Sequence, residues 1–181
     1  MEPMPTTPSA GSTRFIQDEA HYAEVLLRAR EVKSTLWIGT ADIKDLHVMR
    51  GKRARPFLAE LADLIGRGVS VRLIHAKEPG PNFRADFDRH PALAAGLERV
   101  LCPRVHFKML IFDLETAYIG SANLTGAGIG MKSDGMRNFE AGIWTDDPRL
   151  VSAAIAQFDS VWMGARCDGC RRKAFCGDSI V

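Results

Sequence analysis

The sequence predicts an α/β fold, a mixed β-sheet flanked by helices on both faces. Three observations carry this. Stretches with helical apolar spacing alternate with short apolar runs that read as strands. The strand candidates between Val105 and Thr145 follow one another closely, which argues for antiparallel pairing there. The length of 181 residues, with 46% hydrophobic and 25% charged content, suits one ordinary globular domain with a sizeable core.

Taken in order, Ile16, Ala20, Ala23, Leu26, Leu27 and Ala29 recur at helical spacing and predict a helix over Phe15 to Lys33. Thr35 to Thr40 is a short apolar run, read as a buried strand, and Ala41 to Arg53 reads as a polar, basic loop. Phe57, Leu58, Leu61, Leu64 and Ile65 form the stripe of a second helix, Pro56 to Arg67, which Gly66 and Gly68 end. Val69 to Ile74 alternates like a strand. Pro79-Gly80-Pro81 breaks the chain, and a third helix is expected over Arg84 to Gly96, with Pro91 counting against it. Strands follow at Val100-Leu101, Val105 to Phe112, Ala117 to Gly120 and Phe139 to Thr145. Gly126, Gly128, Gly130 and Gly135 mark a loop before the last of these. Pro148 to Met163 makes the final helix, with proline suited to its first turn.

The ends differ from the middle. Residues 1–14 are rich in Pro, Ser and Thr and read as a disordered leader. They lack the basic and apolar regions of a secretory signal, so the expected address is cytoplasmic. Residues 15–165 form the expected domain, and 166–181 a Cys/Arg-rich tail. No apolar run is long enough to span a bilayer. A net charge of +2 does not announce nucleic acid. Two local clusters could still meet phosphates: Arg50, Lys52, Arg53 and Arg55, and Arg166, Arg171, Arg172 and Lys173.

The chemistry concentrates between residues 106 and 140. His106 and Lys108 lie two apart on an expected strand and so share a face. Ser121 and Asn123 repeat that spacing after the next strand. If the strands are neighbours, an imidazole, an ammonium, a hydroxyl and an amide converge. An imidazole with its ordinary pKa near ~6.5 can be neutral and nucleophilic at physiological pH. Lys108 and Asn123 would offer charge and N–H donors to phosphoryl oxygens, and Glu140 could hold the ring in its attacking tautomer. Asp113 has the wrong parity for that face. It joins His106, Lys108, Ser121, Asn123 and Glu140 as a candidate catalytic residue, yet reads as an anchor at the strand end, or as the mark of a bulge.

The pattern His106-x-Lys108-x4-Asp113, Gly120-Ser121-x-Asn123 and the later Asn138-Phe139-Glu140 resembles the signature of the phospholipase D superfamily. The resemblance is strongest from about Val100 to Thr145. It implies a phospholipase D-like α-β-α sandwich and a metal-independent, ping-pong phosphodiester transfer. His106 would attack phosphorus to form a phosphohistidine, Lys108 and Asn123 would hold the phosphate, and a second histidine would protonate the leaving oxygen. Larger members carry two such motifs. The short bacterial endonucleases carry one and dimerise across the site. This chain has one and resembles the short kind, which implies a homodimer with two His106 side chains facing one phosphate.

His75-Ala76-Lys77 is a second H-x-K. It has Asn82 at the position of the acid and no Gly-Ser-x-Asn after it, so His75 and Lys77 are expected at most on the rim as substrate contacts. Cys102, Cys167, Cys170 and Cys176 could close a tetrahedral structural zinc site, with an iron–sulfur cluster, disulfides or free thiols as the other readings. With Cys102 as fourth ligand, the tail would lie near His106, and Arg171 and Arg172 would track phosphates at its entrance.

The leading functional reading is an endonuclease cleaving DNA or RNA. A phospholipase D or phosphatidyl transferase is the second, although no lipid-facing surface or anchor is evident in the sequence. A catalytically silent nucleic-acid-binding module is the third.

Overall fold

A computed structural model describes residues 11–44 and 46–177. Among the described residues nine strands and four α-helices succeed one another: β1 Thr13–Gln17, β2 Thr35–Thr40, β3 His47–Arg50, β4 Arg53–Pro56, α1 Phe57–Gly66, β5 Ser70–His75, α2 Pro81–Asp88, α3 Pro91–Gly96, β6 Leu97–Leu101, β7 Lys108–Phe112, β8 Thr116–Gly120, β9 Ala141–Thr145 and α4 Pro148–Trp162. Seven strands form one sheet in the order β1-β9-β8-β7-β2-β5-β6. β2, β5 and β6 are parallel, and the remaining neighbours pair antiparallel.

The strands at the centre alternate between two cores. Leu36, Ile38, Leu110 and Phe112 pack under α1, α2, α3 and the segment around Val25 and Leu26. Trp37, Met109 and Ile111 pack with Val151, Ala154 and Phe158 of α4. The period of two thus sends successive residues of β2 and β7 into opposite apolar layers. This is why both strands read as continuous apolar runs, and it confirms the mixed sheet with helices on both faces.

Four local expectations change. Phe15 to Gln17 is not helical but belongs to β1, where Ile16 is 1% exposed and Phe15 65%. That in-out alternation pairs with β9. Asp18, at φ 47°, then turns the chain. Only after it does the chain coil, as a π-helical turn His21–Leu26 and a 3₁₀ segment Leu27–Glu31. Thr13 and Arg14, in the stretch expected to be disordered, also sit in β1, while the first ten residues lie outside the described ones. The expected loop 41–53 contains the start of a two-stranded ribbon, β3–β4, whose turn has Gly51 at φ 61°, the glycine position of a tight hairpin. Pro91 splits the third helix into α2 and α3 because its ring cannot sit in a helix interior, and it opens α3 instead. Among the described residues no helix is long and apolar enough to cross a membrane.

Candidate active site

The alternating directions of the central strands bring one set of strand ends together. The carboxyl ends of β1, β2, β5, β6 and β8 lie beside the amino ends of β7 and β9. Lys108 begins β7 opposite Gly120, the last residue of β8, and Gly120 faces Gly142 of β9. Residues just beyond these ends, namely His106, Ser121, Asn123 and Glu140, therefore share one edge of the sheet. Asp113 does not.

His106 precedes β7 and is exposed, whereas Lys108 is 6% exposed. The lysine Nζ donates to the His106 carbonyl at 2.7 Å and lies 3.3 Å from Nδ1 and 3.5 Å from Nε2 of the ring. The ammonium is thus fixed beside the imidazole by its own backbone. Burial lowers the Lys108 pKa, and the negative charge of Glu140 opposes that shift. The segment entering β7 is seated by Phe107, whose ring occupies the space over Gly39: a Cβ there would lie 2.2 Å from it. A side chain at position 39 would push the His106 backbone out of place.

Asn123 is held through its carbonyl. Its Oδ1 accepts from the Asp42 backbone N–H at 3.1 Å and lies 3.4 Å from the Thr40 hydroxyl. Thr40 in turn accepts from the Leu124 N–H. This fixes which side of the amide is oxygen and leaves Nδ2 as a donor to whatever enters. Ser121 supports Glu140: its hydroxyl donates to the carboxylate and accepts from the Ala141 N–H at 3.0 Å. Asn138 Nδ2 donates to the other carboxylate oxygen at 3.1 Å. These bonds tie Glu140 to Ser121 and Asn138. Among the described residues its carboxylate makes no hydrogen bond to the His106 ring, which was the expected partner.

Beneath Glu140 lies a support that the sequence did not announce. Asp18 donates its N–H to the Glu140 carbonyl at 3.2 Å and accepts from the Glu140 N–H at 3.4 Å. Its own carbonyl is 3.0 Å from Nδ1 of His21, which is fully buried edge-on against Tyr118. Burial lowers the His21 pKa and raises that of Tyr118. A neutral imidazole and a neutral phenol thus floor the site next to a carboxylate. Only the positive φ at Asp18 permits the turn, and no local motif signals it.

Asp113 follows the end of β7 at the opposite edge, five residues and so ~17 Å from Lys108. Its carboxylate accepts from the N–H groups of Lys33 (3.1 Å), Ser34 (2.7 Å) and Thr35 (3.1 Å) and from the Ser34 hydroxyl (2.9 Å). Burial alone would raise its pKa. The four donors outweigh burial and hold it below the usual carboxylate value. It is the strand-end anchor its parity implied, and not one of the residues at the site.

The second H-x-K also lies apart from the chemistry. His75 is fully buried at the end of β5, its Nδ1 donating to the Lys77 carbonyl at 2.8 Å, so it is not on the rim. Lys77 pairs with Asp42 at 3.2 Å, the residue whose N–H holds Asn123. In the tail, Arg171 is exposed and Arg172 donates to the Pro103 carbonyl at 3.0 Å. The four cysteines carry free, partly exposed thiols. Among the described residues no three His, Cys, Asp or Glu side chains are gathered as metal ligands, so the closed zinc site expected from sequence is not formed in this structure.

Comparison with known proteins follows the same lines. Residues 26–162 match the family described as "Cardiolipin synthase, PLD-like domain". The fold is similar to Nuc from Salmonella typhimurium, a phospholipase D family member, at a TM-score of 0.63 and 17% identity, over 84% of this chain and 94% of that one. It is similar to NucT from Helicobacter pylori at a TM-score of 0.61 and 14% identity, over 83% and 94%. It is similar to TrmBL2, an archaeal chromatin protein, at 0.57 and 16%, over 88% of this chain and 55% of that one. No curated protein sequence matches the chain. With the family match spanning most of the sequence and every signature residue but the anchoring Asp113 gathered at one sheet edge, the chain belongs to the phospholipase D superfamily of phosphodiesterases.

Proposed function

We propose that the protein is a metal-independent endonuclease whose complete active site forms between two identical chains. The observation that carries this is the histidine count at the sheet edge. Among the described residues flanking the ends of the seven-stranded sheet at this edge, His21 and His75 are fully buried and His106 is exposed; the exposed His47 belongs to the separate β3–β4 ribbon. A phosphodiester exchanged at phosphorus without a metal needs one imidazole to attack and a second to protonate the leaving oxygen. One chain offers one, so a second chain supplies the other.

In this reading a ring nitrogen of His106 attacks phosphorus and the bond to the leaving oxygen breaks. The imidazolium of the partner's His106 gives that oxygen its proton. Water then attacks the phosphohistidine and loses its proton to the same partner imidazole, and the P–N bond breaks. Lys108 and the Asn123 Nδ2 donor meet the non-bridging oxygens, where charge grows. Ser121 and Glu140 shape the opposite wall, and a neighbouring carboxylate favours the imidazolium that forms in each step. One similar structure, TrmBL2, is an archaeal chromatin protein with a novel mode of DNA binding. That supports nucleic acid over lipid as the substrate, as do the basic residues of the β3–β4 ribbon.

The test is cleavage of a panel of single- and double-stranded DNA, RNA and phospholipid vesicles in EDTA, with His106→Ala alongside. EDTA-resistant nucleic-acid cleavage that the variant loses supports the proposal. Headgroup release from vesicles alone would move the substrate to lipid. Salt-sensitive nucleic-acid binding without cutting would make the chain a binding module. Mixed dimers of wild type and His106→Ala should be as inactive as the variant, and a fully active monomer would overturn the shared site.

A further inference from the structure

We infer that Cys102, Cys167, Cys170 and Cys176 are the four ligands of a structural zinc ion that clamps the tail onto the loop delivering His106. The first observation is convergence. All four cysteines of the chain line one cavity of about 220 Å³, between the end of α4 and the loop after β6. Cys102 stands 65 residues upstream of Cys167, so their meeting follows from the fold rather than from sequence proximity.

The second observation is local shape. Gly169, at φ 70°, makes the bend between Cys167 and Cys170, and the Cys170 N–H closes the turn on the Cys167 carbonyl at 3.0 Å. A C-x2-C turn closed in this way puts two thiols on one side, the usual half of a tetrahedral zinc site. Cys176 follows a second short turn, Lys173–Phe175, and its Sγ lies 3.5 Å from the Leu101 carbonyl, next to Cys102. Two thiols thus come from one turn, and the other two flank the end of β6.

Charge provides the third. Four thiolates around Zn²⁺ carry a net charge of −2. The cavity is lined by Arg104, Arg166, Arg172 and Lys173 and by no carboxylate. That lining would repel a bare cation, but it stabilises a tetrathiolate complex.

The fourth is the absence of another reason for the tail to lie where it does. Between residues 163 and 177 none is buried. Beyond the bonds of residues 163–165 to the end of α4, the described bonds tying it to the rest of the fold fall on residues 101–104: Arg104 to the Arg166 carbonyl, Arg172 to the Pro103 carbonyl and Cys176 to the Leu101 carbonyl. Exposed polar contacts of this kind contribute little, whereas a zinc–thiolate set can hold a segment without a core. The sulfurs surround the cavity without forming a bonded set, so metal binding must draw them inward. The movement falls on the tail, which has no packed core to disturb.

The clamp has a consequence for the site. Cys102 donates its N–H to the His75 carbonyl at the end of β5 and turns the chain to Val105, whose N–H returns to the Cys102 carbonyl at 3.0 Å. His106 is the next residue. Zinc would fix the turn from which the nucleophile emerges without touching substrate.

The experiment is elemental analysis of the full chain purified anaerobically without added metal. It is paired with Co²⁺ exchange and with Cys102→Ser and Cys170→Ser variants. One zinc per chain, thiolate-to-Co²⁺ charge-transfer bands with tetrahedral d–d absorption, and loss of the ion in both variants support the inference. Should a variant fold poorly, zinc release from folded wild type by a mercurial, titrated against four protected thiols, reads the same set. Absence of zinc, iron with sulfide in its place, two disulfides, or zinc retained in Cys102→Ser would each overturn it. None of these readouts depends on nuclease activity.

Discussion

Asp113 belongs to the motif by spacing and to the scaffold by position, so replacing it should separate stability from chemistry. Its carboxylate collects three backbone N–H groups and one hydroxyl from Lys33, Ser34 and Thr35. Bonds to a charged acceptor contribute about 1.5–3 kcal/mol each when shielded and less where water reaches them, as it does here. Asp113→Asn keeps one acceptor oxygen and tolerates the positive φ of 52°. It should cost about 1–2 kcal/mol, or roughly 3–6 °C in melting temperature for a chain of this size. Asp113→Ala leaves the donors to water and adds left-handed strain, for about 3–4 kcal/mol.

The assay is thermal unfolding across pH beside cleavage per folded molecule. The folded pKa of Asp113 is depressed. The stability it contributes is therefore fully present above the unfolded carboxylate value of ~4 and is lost as pH falls through the lower folded value. The gap between wild type and Asp113→Asn should be full at neutral pH and close in acid. Cleavage per folded molecule should stay within a factor of a few. A loss of 10²-fold or more at an unchanged melting temperature would show that Asp113 acts in the reaction and would refute the anchor.

Other perturbations address the site itself. Asn123→Ala removes the amide donor left open at the sheet edge and should cost about 10²–10³ in kcat, well beyond the modest fall in melting temperature from the unpaired Asp42 N–H, read by steady-state kinetics and calorimetry. Lys108, whose pKa burial lowers, should set an alkaline limb of kcat/KM below the ordinary lysine value of ~10.4, and Lys108→Arg should move that limb upward or abolish it. Gly39→Ala would drive a methyl into the Phe107 ring. It should destabilise by about 1–3 kcal/mol and lower activity beyond the loss of folded protein, as measured by urea titration beside cleavage.

The parts of this fold legible in sequence are those where one local rule decides. β2 and β7 read as buried strands because apolar residues fill both faces, and α4 because proline and an apolar stripe frame it. His106, Lys108, Ser121 and Asn123 were legible as neighbours because they flank the adjoining ends of two paired strands, although His106, Ser121 and Asn123 fall just outside β7 and β8. β1 was misread because Ile16, Ala20 and Ala23 fit a helical stripe, and only pairing with β9 decides otherwise. The β3–β4 ribbon was missed because its strands are basic and largely exposed, without apolar alternation. Asp42 and Thr40, which orient Asn123, act through a backbone N–H and a hydroxyl more than 80 residues away. No spacing rule reaches that far.

The misread segment bears on the mechanism. Had residues 15–33 formed one helix, nothing would lie at the outer side of β9, and Glu140 would hang from an unsupported strand end. As an edge strand, β1 ends at Gln17, and at the left-handed turn Asp18 donates its N–H to the Glu140 carbonyl and accepts the Glu140 N–H on its carboxylate. The acid is thereby held from below by Asp18 and from the side by Ser121 and Asn138, while its charge faces the buried Lys108. A carboxylate so constrained loses little rotational freedom when substrate arrives, which is how preorganised charge lowers a barrier. Asp18→Gly keeps the positive φ and the backbone donor but removes the acceptor for the Glu140 N–H. A selective fall in kcat, with KM and melting temperature nearly unchanged, is the outcome that assigns the N-terminal strand to the active site. An equal fall in stability would assign it to the fold alone.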